Sequence, residues 1–267
     1  MRVRICFLFI LLFNVSYVGS QEVISPTIKS DIGFNAGENL TYQIRYGLMV
    51  GGITTLSLTE DNYNDKVVFH TVATAQTTGM ADVIFGVTDV YESWFDKKSN
   101  LSYKQIRKIK EGKYIMYNEV TYNRKNNTVN SNLTGIHRVP DKILDLSTSL
   151  YYIRRIDFSK VKKGQIVLVN IYFADEIFPF YLRYQGKETI RTKFGKMNCL
   201  KISPVVEVGR MFKTPDDLSI WLTDDLNCIP VQVRMDIRVV GAVHLKLIKF
   251  ENTANPVTFL TLKKDSI

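Results

Sequence analysis

Histidine is scarce in this 267-residue chain, with three at His70, His137 and His244, none beside another. There is no HExxH run, so the paired helix-borne imidazoles of a zinc protease are absent. Cysteine is equally scarce, and no CxxC spacing exists for a metal knuckle or a redox motif. No GxSxG elbow is present, and Gly51-Gly52 lacks the lysine and helix that complete a phosphate loop. These absences leave no metal and no cofactor to expect. No second apolar run reaches membrane-spanning length. Aromatic-interleaved basic motifs are missing, so nucleic acid is not an expected partner.

The chain opens on a leader. Arg2 and Arg4 precede the apolar run Ile5-Cys6-Phe7-Leu8-Phe9-Ile10-Leu11-Leu12-Phe13, and Val18-Gly19-Ser20 offers slim residues before a cut. That order reads as a secretory signal peptide over residues 1–20, cleaved between Ser20 and Gln21. Cys6 lies inside the apolar run and no cysteine stands at the cut, so a lipoprotein is not expected. Residues 21–267 then read as a single β-rich periplasmic domain. The formal charge is +9, and losing Arg2 and Arg4 leaves about +7. A basic exported protein can touch anionic envelope polymers or lipid headgroups. Alternation puts Lys104, Ile106, Lys108 and Lys110 on one strand face, for which plain solvation is the simpler reading.

Period-two alternation dominates the rest. Leu40, Tyr42, Ile44, Tyr46 and Leu48 form one such series; Ile229, Val231, Val233, Met235, Ile237 and Val239 form another. Strands with one wet face belong to antiparallel sheets. Further strands are expected over residues 53–59, 66–76, 88–95, 165–173, 180–184, 187–193, 199–208, 218–223 and 243–250. Tyr114, Met116, Val120 and Tyr122 mark one more. Turn-forming clusters at residues 60–65, 96–100, 110–113, 123–127, 185–187 and 194–196 separate them. One stretch reads as helix: Pro140 and Asp141 open it, Ile143, Leu144, Leu146, Leu150, Tyr151 and Ile153 make its stripe, and Arg154 and Arg155 close it. The fold class expected is mainly β: a single domain with a curved antiparallel sheet or half-open β-barrel, packed against one central α-helix.

No catalytic residue stands out. The doublets Asp175-Glu176, Asp216-Asp217 and Asp224-Asp225 do not make acid/base pairs, because adjacent strand residues point to opposite faces. Aromatics are plentiful, with 14 Tyr and 15 Phe. Tyr42, Tyr46, Trp94, Tyr114, Tyr151 and Trp221 are the candidate ligand-binding aromatics, on a curved sheet that could hold an apolar chain. Arg154 would meet an anionic headgroup through its planar fork. A plain aromatic core is the competing reading. Cys199 and Cys228 form a possible disulfide, which an exported compartment permits, or two small buried thiols.

Several segments carry a family resemblance. Phe34-Asn35-Ala36-Gly37-Glu38-Asn39-Leu40-Thr41-Tyr42, then Tyr46-Gly47 and Gly51-Gly52, resembles the opening of the exported bacterial family called domain of unknown function 3108 (DUF3108). Thr78-Gly79, Tyr91-Glu92-Ser93-Trp94-Phe95-Asp96 and Glu111-Gly112-Lys113-Tyr114 follow in its order. Leu144-Asp145-Leu146-Ser147, Tyr151-Tyr152-Ile153-Arg154, Gly186-Lys187-Glu188, Trp221-Leu222-Thr223-Asp224-Asp225 and Ile229-Pro230-Val231 continue it. The resemblance implies a periplasmic protein of Gram-negative bacteria with a β-rich fold, and it supplies no catalytic residues. Its plan is similar to the half-barrel envelope proteins that carry lipoproteins, an analogy of architecture. Glu38, Asp96, Asp145, Arg154 and Asp224 read as polar contacts that fix sheet ends.

The function expected is a non-enzymatic periplasmic protein that binds a lipid-like or envelope-derived ligand on a concave aromatic-lined sheet. The alternatives are a structural or interaction protein of an envelope complex, and a hydrolase acting on envelope polymers.

Overall fold

Alternating apolar and polar residues drive this chain into hairpins. The computed structural model, described over residues 22–31, 33–206, 212–238 and 241–260, joins them into one sheet. The signal peptide expected over residues 1–20 lies outside the described residues.

After the short β1 (Val23–Ile24), a first arm runs in chain order. It comprises β2 (Asn39–Tyr46), β3 (Met49–Tyr63), β4 (Lys66–Thr77), β5 (Thr88–Phe95), β6 (Ser102–Glu111), β7 (Tyr114–Asn123), β8 (Thr128–Ser131) and β9 (Gly135–Arg138). The two-residue β10 (Leu144–Asp145) leads into a helix, and a second arm follows. That arm is β11 (Ile166–Phe173), β12 (Glu176–Thr192), β13 (Gly195–Pro204), β14 (Leu218–Thr223), β15 (Pro230–Ile237) and β16 (Gly241–Glu251). The arms join where β16 pairs antiparallel with β2, Leu247 opposite Tyr42 and Leu245 opposite Ile44. β1 and β10 both pair parallel with β11, and β9 is the opposite edge, so the sheet does not close by backbone bonds.

Side chains bring the two ends together instead. Tyr172 of β11 packs with Val120 and Tyr122 of β7, Val129 of β8 and Ile143. The guanidinium of Arg107 on β6 lies 4.8 Å from the Phe173 ring centre. β6 and β11 are far apart in sheet order, so these contacts require the sheet to curl on itself. The main core, with Leu40, Leu58, Phe95, Tyr151, Val167 and Leu182 among its members, fills the inside of that curl.

Three expectations need correction. The helix α2 spans Leu146–Arg154, not residues 140–155. Lys142 takes a left-handed φ of 56°, which breaks any helix begun at Pro140, and Leu144 and Asp145 are extended against β11. Asp145 is the true N-cap, accepting from the Thr148 N–H at 2.8 Å. The expected turn over residues 60–65 is only Asn64-Asp65, both at positive φ, as a two-residue hairpin turn demands. Glu60, Asp61 and Asn62 stay in the ladder, paired with Phe69, Val68 and Val67, with their side chains exposed. Finally, residues 180–193 do not break at Gly186. One long β12 runs through it as a bulge, which a φ of 97° lets glycine absorb. A short helix α1 (Met80–Ile84) does sit between β4 and β5, with none of its residues buried.

Candidate functional site

β6 is read correctly only when both of its faces are considered. Its outer face carries Lys104, Ile106 and Lys108; Lys104 pairs with Glu119 at 3.0 Å and Lys108 with Glu92 at 2.7 Å. Its inner face carries Gln105, Arg107, Ile109 and Glu111, all buried. Ladder register sets Tyr91, Arg107 and Asn118 in one row across β5, β6 and β7. Ser93, Gln105, Val120 and Ser131 make the next row. Phe173 reaches in from β11 over Arg107, and its ring stacks near Tyr91 at 6.4 Å.

This inner face is unusually polar for a sealed surface. Gln105, Arg107, Asn118 and Tyr122 are each at least nine-tenths buried. Gln105 Nε2, Arg107 Nε, Asn118 Oδ1 and the Tyr122 hydroxyl have no hydrogen-bond partner among the described residues. Asn118 spends its amide N–H on Ser131 Oγ at 2.9 Å, which leaves the carbonyl oxygen unmatched. Each such atom costs about 1–3 kcal/mol relative to water. At the end of the same face, burial pushes Asp89 up to about 6. The Glu111 charge adds to that rise, and the Lys110 N–H, 3.1 Å away, opposes it. Burial likewise raises Tyr122 well above the usual phenol range, helped by the charge of Asp145. Donors, acceptors and aromatic rings therefore share one buried face of the sheet.

The residues singled out from sequence do not converge. Tyr42, Tyr151 and Arg154 meet in the sealed core. There the Tyr151 hydroxyl meets Thr71 Oγ1 at 3.2 Å and its ring meets Phe34 and Phe95. Arg154 donates to both oxygens of Glu38 and to the Asn227 and Gly33 carbonyls. Trp94 stacks on His70 at 4.2 Å and donates its indole N–H to Asp61, on the side of the sheet that carries Lys104. Trp221 donates to Glu188 at 3.2 Å beneath Lys201. Tyr46 and Tyr114 are exposed, 47% and 44%. Cys199 and Cys228 are both free and buried, so the pairing left open by the sequence is not made. Cys199 lies opposite Thr223 in the β13–β14 ladder, whereas Cys228 Sγ sits by Asp225 O and the Lys29 ammonium. Gln105, Arg107, Asn118, Tyr122 and Phe173 were not foreseen as a group.

Among the described residues no three His, Cys, Asp or Glu side chains gather as metal ligands. No helix among them is long and apolar enough to cross a membrane.

One solved structure supports the fold. The chain is similar to the β-barrel-like protein of the DUF1849 domain from Brucella abortus, at TM-score 0.53 and 11% identity, over 86% of this chain and 100% of that one. A candidate exported protein with a YmcC-like fold from Bacteroides fragilis aligns at TM-score 0.35 and 10% identity, over 84% of this chain and 100% of that one. No curated protein matches the chain. The sequence model of the family described as protein of unknown function (DUF3108) covers residues 41–248, from β2 to β16 and so through both arms of the sheet, and the chain belongs to that family.

Proposed function

We propose that the protein is a non-enzymatic cell-envelope factor, exported to the periplasm, that holds a lipid-like or envelope-derived amphiphile against the inner face of β5, β6 and β7. The observation that carries this reading is the buried polar row beneath Phe173. Gln105 Nε2 and Arg107 Nε are donors withdrawn from water and given no partner among the described residues. A ligand carboxylate or phosphate would satisfy them, and the planar guanidinium suits both. Tyr91, Ile109 and Phe173 would bury the apolar portion. The leader over residues 1–20 supports export.

Native mass spectrometry of the mature protein from periplasm, followed by lipid extraction, tests this. A copurifying apolar molecule of defined mass, depleted in Arg107→Gln, is the expected result. A clean apo mass with an empty extract would overturn it.

A docking role in an envelope complex is the second reading. Met80, Val83 and Ile84 of α1 and the neighbouring Leu48, Met49 and Ile115 of two hairpin ends are all exposed apolar side chains. Crosslinking in envelope fractions, with Val83 and Ile84 changed to serine as control, tests that reading.

A further inference from the structure

A second unassigned feature lies between the β2–β3 turn, strand β16 and the tip of the β12–β13 hairpin. It is a groove of about 470 Å³ lined by Arg45, Arg191, Lys193 and Lys246, with Gln43 and Gln232 between them and no carboxylate in its wall. None of these residues belongs to the inner-face site.

Six cations elsewhere on the sheet are paired, as the groove cations are not. Lys104, Lys108, Lys187, Lys201, Arg234 and Lys249 each hold a carboxylate, at distances between 2.6 and 3.5 Å. Arg45, Arg191, Lys193 and Lys246 hold none among the described residues. Like charges around one concavity repel, and a groove walled by protein concentrates their field. His244 faces Arg45 across the β16–β2 ladder. Burial holds it below the usual imidazole range, and Lys246 and Arg234 depress it further.

Two of the four cations are also held in place. Arg45 gives one guanidinium N–H to Gln43 Oε1 at 2.8 Å and another to the Leu48 carbonyl at 3.0 Å. Its remaining N–H groups are therefore oriented before any ligand arrives. Lys193 donates to the Ile248 carbonyl at 2.8 Å and keeps two further N–H bonds to give. The hairpin that carries Arg191 and Lys193 is anchored beside them: Phe194 packs edge-on against Phe250 at 5.0 Å and lies 6.4 Å from Phe259. Leu260 N–H bonds the Lys196 carbonyl at 2.9 Å.

We infer that this groove binds a phosphate-bearing polyanion, with Arg45 and Arg191 forking onto phosphate oxygens and Lys193 and Lys246 supplying charge. Fork geometry and multiple fixed donors favour phosphate over a lone carboxylate. The same chemistry occurs in a soluble diphosphate and in an anionic lipid headgroup.

Calorimetric titration of the mature protein with inorganic pyrophosphate tests the first source. Cosedimentation with phosphatidylcholine vesicles, with and without phosphatidylglycerol, tests the second. The groove variant is Arg191→Gln with Lys246→Gln, and the control is Lys187→Gln with Lys201→Gln, which removes the same charge from paired positions. The groove variant should weaken binding roughly tenfold or more, and the control several-fold less. Loss in the pyrophosphate arm assigns a soluble ligand, and loss in the vesicle arm alone assigns a headgroup. Equal loss in groove and control variants, or no binding in either arm, would overturn the inference. Matching thermal unfolding of all variants shows that the fold is intact. An empty inner face in the lipid extract would leave this result untouched.

Discussion

Arg154 grips Glu38 with two parallel bonds, 2.6 Å from Nη1 to Oε1 and 2.8 Å from Nη2 to Oε2, and both side chains are sealed from solvent. The pair fastens the end of α2 to the entry of β2, and the Asn227 carbonyl adds the β14–β15 connection to the same guanidinium. Burial alone would lower the basicity of Arg154, but the Glu38 carboxylate reverses that and holds it above its usual value.

Removing one partner should therefore be far worse than removing both. Arg154→Met or Glu38→Leu alone leaves an uncompensated buried charge and should cost about 3–5 kcal/mol. The double variant should lose clearly less than the sum of the singles. Urea unfolding of the four proteins checks this, and additive losses would show that the charges are not coupled.

At the inner face, stability and binding should trade against each other. Gln105→Met removes a buried donor with no partner and keeps the volume. The apo protein should gain about 1 kcal/mol or more, while retention of the copurifying amphiphile falls. A loss of apo stability would mean that the amide has a partner in the folded protein.

Asp89 gives a pH signature. Its folded value of about 6 exceeds its ordinary 3.8, so the native state binds the proton more tightly than the unfolded chain does. Its stabilising contribution is complete below about pH 4 and is lost as pH rises towards 6, a change of at most about 3 kcal/mol. Asp89→Asn should remove that component, because the amide oxygen can still accept from the Lys110 N–H. Unfolding midpoints between pH 4 and 7 check it, and identical slopes in both proteins would exclude Asp89 as the source.

The two thiols should be silent in the native protein. Burial is the main cause that pushes Cys199 up to about 12, and it raises Cys228 as well. At pH 8 the thiolate fraction of Cys199 is about one in ten thousand. Ellman titration of residues 21–267 should find almost no thiol in the folded chain and two after denaturation. Two protons missing by intact mass would reveal a disulfide instead.

Much of the architecture was legible because alternation reports pleat directly. Leu40 to Tyr46 of the first series fall in β2 and Val231 to Ile237 of the second in β15, both ladder strands, while Val239 lies outside the described residues. Alternation identifies two faces of a strand but not which one becomes the interior. On β6 the lysine face drew notice, while the face that closed inward carries Gln105 and Arg107, which look like surface residues in a sequence. Aromatic content misled for the same reason. Trp94 alternates with Tyr91, Ser93 and Phe95 and so points away from them, and Tyr151 and Tyr42 spend their rings on the core. Arg154 was noticed, but its partner Glu38 lies too far away in sequence for any local pattern to connect them. The start of α2 was misplaced because Pro140 and Asp141 look like an N-terminus, whereas the left-handed Lys142 defers the helix to the Asp145 cap.

The β16–β2 seam has a consequence for how this molecule comes into being. All the other long pairings within an arm join strands that are neighbours in the chain, so hairpins can zip as they are made. The seam joins the start of the first arm to the end of the second, and it cannot form until nearly every residue has emerged. Until then β2 presents an unpaired edge, the condition under which β-rich chains mispair or recruit strangers. Its assembly should therefore be slow, limited by long-range closures of this kind. A chain shortened before β16 would carry a lasting open edge and not merely a missing strand.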